Sequence, residues 1–178
     1  MSSSTPSLST TIINECAAIA QNGSAAINSL VSAAKSGTWT TADTNQFVAL
    51  VQPVLQYLGD YNSVGIVVSG SAELGIGAEE VVGVVGDTTS MTSAPYIYQF
   101  LGVDVGVSEG MDASVGMIVA QGKPSSLHGF HTFADASMSV GAGIGVQVST
   151  DGQWFIFFDA GEDADLSAGE GHVTVKQL

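Results

Sequence analysis

From Val64 onward the chain alternates Val, Ile or Ala with Gly or Ser, as in Val64-Gly65-Ile66-Val67-Val68-Ser69-Gly70-Ser71-Ala72. The alternation returns in Gly102-Val103-Asp104-Val105-Gly106-Val107-Ser108 and in Val140-Gly141-Ala142-Gly143-Ile144-Gly145-Val146-Gln147-Val148-Ser149. A period of two places apolar side chains on one face of a β-strand and small ones on the other. Glycine weakens a strand, because it loses more entropy on folding and offers nothing to pack. Its repeated use therefore predicts close approach on the small face. Strands are predicted over 64–74, 81–86, 96–108, 111–120, 127–138, 140–149, 154–160 and 172–176.

The turn signals between these runs differ in kind. Asp151-Gly152 supplies the positive φ of a tight hairpin, and Glu109-Gly110 reads the same way. Residues 121–126 form a loop and 87–95 a longer connection. No turn residue separates Met138 from Val140, so 127–149 also reads as one long, bent strand. Consecutive hairpins without intervening helical periodicity predict an antiparallel meander, folded as a β-sandwich or β-barrel of about eight strands.

The first third follows a different period. Residues 1–8 read as a flexible tail of Ser, Thr and Pro. Ile12, Cys16, Ile19, Gly23, Ile27, Leu30 and Ala34 recur at helical spacing, with N-cap residues at 9–11 and Gly37 as the stop. A second stripe of Phe47, Val48, Leu50, Val51, Val54, Leu55 and Leu58 starts at Thr40 or Thr41 and stops at Gly59. Pro53 inside it removes a backbone bond and predicts a kink. The expected organisation is α+β: a tail over 1–8, a helical hairpin over 9–59 and a Gly/Val-rich antiparallel β-domain over 63–178.

Charge sharpens this picture. The 178 residues include 17 acidic side chains and only three cationic ones, Lys35, Lys123 and Lys176, for a formal net charge of -14. Nucleic-acid binding requires cations against phosphate and Arg forks against bases. With no arginine in the chain, nucleic acid is excluded as a partner. Anionic membrane surfaces are disfavoured on the same ground. An apolar fraction of 45% is ample for a core, and 11% charged residues is well below the usual quarter. The N-terminus lacks a basic region and an apolar stretch, which predicts a cytoplasmic protein or one exported without a cleaved signal.

Chemistry-bearing residues are sparse. Asp159, Asp163, Asp165 and Glu170 fall on positions one, five, seven and twelve of a calcium-type loop. Gly161 replaces the second acidic ligand, and Ala164 stands where the turn needs Gly. His131 and Asp135 share one strand face and form a possible polar site. His128 points to the other face, and no zinc spacing is present. Cys16, the one cysteine, lies in an apolar helical stripe and reads as a buried, inert thiol. Aromatic runs at Tyr96 and Tyr98, and at Trp154, Phe155 and Phe157, supply candidate apolar contacts.

These features predict a non-catalytic binding or assembly protein without a cofactor. Its expected partner is another protein or a second copy of itself, with an apolar ligand or a membrane as further options. One alternative is a membrane-active, pore-forming, toxin-like protein, because nearly uncharged Gly/Val strands also suit a lipid-facing hairpin. Another is a calcium-dependent module using the acidic loop at 159–170. An enzyme is the reading with least support, since no nucleophile, base and orienting group converge.

Overall fold

A computed structural model describes residues 9–72, 77–106, 113–138, 142–149, 154–159 and 166–178. Among the described residues, three helices, α1 (Thr10–Asn22), α2 (Ser24–Ser36) and α3 (Thr41–Leu55), precede eight strands. These are β1 (Ser63–Ala72), β2 (Gly77–Asp87), β3 (Tyr96–Gly106), β4 (Ala113–Ala120), β5 (Gly129–Met138), β6 (Ala142–Ser149), β7 (Trp154–Asp159) and β8 (Leu166–Gln177). The α+β class and the antiparallel sheet agree with the sequence patterns.

The expected two-helix hairpin is corrected to three helices. The first predicted helix divides at Gly23, whose φ of -100° and ψ of 7° leave the helical range while its N–H still bonds Ile19 O. A Cβ there would lie 2.9 Å from Leu50 Cδ1, so the missing side chain lets α3 pack against the bend. α1 starts at Ser9, whose hydroxyl accepts from Ile12 N–H. α3 starts with a reciprocal cap between Thr40 and Asp43. It ends at Leu55, two residues after Pro53, so the proline sits in the last turn rather than kinking a longer helix.

The sheet also departs from a simple meander. The strands pair in the order β1-β2-β3-β8-β5-β6-β7-β4, and β4 pairs back onto β1, so the ring closes as a barrel. β3 and β4 are consecutive in sequence but not neighbours. The β4–β5 link crosses to the far side of the ring through a single 3-10 turn, Pro124–Ser126, which buries Pro124 and Leu127. The long bent strand over 127–149 is instead two paired strands, β5 and β6, with Met138 opposite Ala142. β8 starts six residues before the predicted 172. Glycines at 169 and 171 erased the apolar alternation that marks a strand.

The two strand faces have different tasks. Val67, Val85, Tyr98, Phe100, Ile118 and Val173 pack together inside the ring. The Phe100 ring lies over Gly102 and Gly171, a cross-strand pair that leaves it room. Val64, Ile66, Val82, Val84, Met117 and Ile156 face outward and pack with the helices. α1 covers β4 and β7, and α2 covers β1 and β2. Each fully buried large side chain contributes about 1.5–3 kcal/mol, so helices and sheet share one core.

Tyr61, 2% exposed, lies in that shared core, and among the described residues its hydroxyl has no hydrogen-bond partner. Burial, then the charges of Asp60 and Cys16, push its ionisation upward. A buried hydroxyl without a partner costs about 1–3 kcal/mol. Tyr61→Phe removes that cost and keeps the ring, so it is expected to raise stability by roughly 1 kcal/mol. Chemical denaturation checks this, and a lower midpoint contradicts it.

Candidate docking surface

The helices cover one side of the barrel. The opposite side carries the outward positions of β3, β8 and β5, fixed by strand register. Leu101 on β3 stands opposite His172 on β8, and His172 stands opposite Phe130 on β5. The next row is Val103, Glu170 and Thr132. Leu101 is 56% exposed, Val103 52% and Phe130 43%. These are three of the four large hydrophobic residues that are exposed among the described ones, and they share one face. The fourth, Tyr57, lies past the end of α3. Period-two geometry explains the placement: the inward neighbours Tyr98, Phe100 and Val173 are fully buried, so the alternate residues must point out.

A second feature borders this face. α2 and the outer side of β1 and β2 enclose a groove of about 300 Å³. Its floor includes Val31, Val68 and Val82, with Asn28, Ser32 and Ser69 as polar walls. Lys35 Nζ reaches Glu80 Oε1 across the groove at 3.5 Å, and Gln99 Nε2 donates to the same oxygen at 3.1 Å. Glu80 pairs with Leu101 in the β2–β3 ladder, so groove and apolar face meet there. The ion pair is largely exposed, and such pairs contribute little to stability.

No known protein family matches this sequence. No curated protein or solved structure gives a match either.

The sequence-derived candidates scatter over the barrel. His131 is fully buried on the inner face of β5, opposite Gly171. Asp135 lies on the same strand, opposite Ser167, but its side chain is outside the described residues. Tyr98 is fully buried inside the ring and serves the core rather than a surface. Tyr96 is partly buried at the start of β3. Trp154, Phe155 and Phe157 belong to β7, and their side chains are outside the described residues. Asp163 and Asp165 also lie outside the described residues. Asp159 ends β7 and Glu170 sits within β8, strands that are not neighbours in the ring. The twelve-residue loop reading is corrected on this point, since Glu170 is a strand residue on the outer face. Among the described residues, no group of three His, Cys, Asp or Glu side chains is placed to hold a metal ion.

Perturbed ionisations have local causes. Cys16 is pushed up to about 12 by burial, with the charge of Glu15 adding to it. Burial works to raise Asp87, but two donors from Thr89, at 2.8 Å from its N–H and 2.6 Å from its hydroxyl, outweigh it and lower the carboxyl. Lys123 acts in the same downward direction.

Sequence reasoning missed Leu101, Val103 and Phe130. They alternate normally within apolar strands. Only the ring order shows that none of the described helices lies over them.

Proposed function

We propose that this chain is a non-catalytic binding protein that docks a protein partner on the β3–β8–β5 face. The observation that carries the reading is the clustering of exposed Leu101, Val103 and Phe130 around His172 on the side away from the helices. Apolar patches rimmed by polar groups mark interaction sites. Here the rim is Glu170, Thr132 and Thr174, and the apolar anchors sit on paired strands that hold their spacing without a partner. Preorganised anchors lower the ordering cost of association. The inner face supports this reading indirectly, because Tyr98, Phe100 and Ile118 use its space for packing.

Selection of binders from a random peptide display library on the folded chain tests the proposal. Enriched peptides are expected to bind the wild type and to lose at least tenfold affinity for Leu101→Ser/Phe130→Ser. Peptides indifferent to both substitutions would place the binding surface elsewhere. No helix among the described residues is long and apolar enough to cross a membrane, a statement that says nothing of strands.

A further inference from the structure

We infer that the occupant of the β3–β8–β5 face is a cationic amphipathic helix of a partner protein. The inference rests on the docking reading above and adds the chemistry of what docks. Charge is the first argument. The chain carries 17 acidic groups against three lysines. Lys35 is engaged by Glu80. The face itself presents Glu170 between Val103 and Thr132; Glu80 at its edge is paired with Lys35, and Lys176 stands four residues beyond His172 on the same side of β8. A field of this sign draws in cationic partners and repels anionic ones. A second copy of the chain brings another -14 to the contact, and an anionic bilayer is repelled in the same way.

Geometry is the second argument. Leu101 and Phe130 stand in one row, separated by β8. Two inter-strand spacings amount to about 9.6 Å. Residues seven apart on a helix are about 10.5 Å apart along its axis. A helix lying across the three strands therefore sets apolar anchors at i and i+7 over Leu101 and Phe130. Val103, about 7 Å along β3 from Leu101, then flanks the helix on one side. Lysine or arginine on the helix flank then meets Glu170, whereas Glu80 is already held by Lys35 and Gln99.

The test uses the full chain and a synthetic helical peptide with a leucine stripe and lysine elsewhere. Its counterpart carries glutamate in place of each lysine. Leu101→Ser/Phe130→Ser leaves net charge unchanged, and its thermal midpoint verifies folding. The lysine peptide is expected to bind the wild type at least tenfold tighter than the double variant. Raising salt from about 50 to about 300 mM is expected to weaken it at least tenfold further, because exposed charges are screened beyond roughly a Debye length. The glutamate peptide is expected not to bind. Equal binding of the lysine peptide to wild type and variant would show unspecific charge attraction and overturn the inference. Equal binding of both peptides, lost in the variant, would keep the docking face and remove its charge preference. Two outcomes would each replace the occupant: dimerisation in sedimentation, or retention on phosphatidylcholine–phosphatidylglycerol vesicles, if abolished by the same substitutions.

Discussion

Gly83→Val is expected to destabilise the protein by about 3 kcal/mol or more, the upper range for forcing extra atoms into a packed interior. Gly83 faces the inside of the ring on β2. A Cβ there overlaps the carbonyl oxygen of Ile66 and lies 2.7 Å from Val67 Cγ1. The backbone oxygen belongs to the paired strand β1, so relief requires the two strands to shift. Gly65 reports the same constraint from the other side, with a Cβ 2.5 Å from the Val84 carbonyl oxygen. For a domain of this size, 3 kcal/mol corresponds to roughly 6–12 °C in Tm. Gly70→Val is the paired control. Gly70 lies on the outer face of β1, and among the described residues nothing comes within 4 Å of its Cβ position. A β-branched residue suits a strand there, so the change is expected to stay within about 1 kcal/mol. Equal losses at both positions would refute the contrast between the crowded site of Gly83 inside the ring and the open site of Gly70 at the far end of β1.

The second large effect concerns Cys16. The thiol is fully buried, and its pKa is pushed up to about 12. At pH 8 the folded thiolate fraction is on the order of 10⁻⁴ at that pKa, against roughly a fifth to a quarter for an unperturbed thiol near 8.5. Reaction with a thiol-specific disulfide reagent is therefore expected to be at least about a thousandfold slower in the folded protein than in denaturant. A folded-state rate near the denatured one would contradict the burial. The sign of the pH dependence follows from linkage. The folded value lies above the unfolded one, so folding favours the protonated thiol. That contribution is fully present below about pH 8.5 and is lost as pH rises toward 12. The slope is on the order of 1.4 kcal/mol per pH unit in that window. Denaturation midpoints between pH 8 and 10 measure it. Cys16→Ala is expected to start from a lower midpoint and to lose this slope.

Part of the molecule was readable from residue order. The shift from helical to strand period near Val64 placed the helices before the sheet, because amphipathic periodicity reports one buried face without knowledge of its partner. Gly37 and the Thr40 cap gave real boundaries for the same local reason. Gly23 was different. It fits a helical stripe in sequence, and only the approach of Leu50 from α3 gives it a reason to interrupt the helix. β8 extends six residues before the predicted 172, through Gly169 and Gly171. In the fold, Gly171 is the space under the Phe100 ring.

The candidate sites separated along the same line. Tyr98 and His131 looked eligible because aromatic and imidazole groups bind ligands, but the ring turns both inward. Glu170 looked like a loop ligand and is a strand residue facing out. Leu101, Val103 and Phe130 looked like ordinary core.

Local interactions settled what each segment is: helix or strand, charged or uncharged, with one small face and one apolar face. Those properties depend on neighbours within a few residues and are written in their order. Which face becomes interior, and which apolar residues remain uncovered, depends on strand order. β3 pairs with β8 and not with β4, through contacts about seventy residues apart in sequence. A period of two is symmetric between inside and outside, so alternation alone cannot choose. Closure of the ring chose, with the helices over β1, β2, β4 and β7, and left the β3–β8–β5 face with no described helix over it.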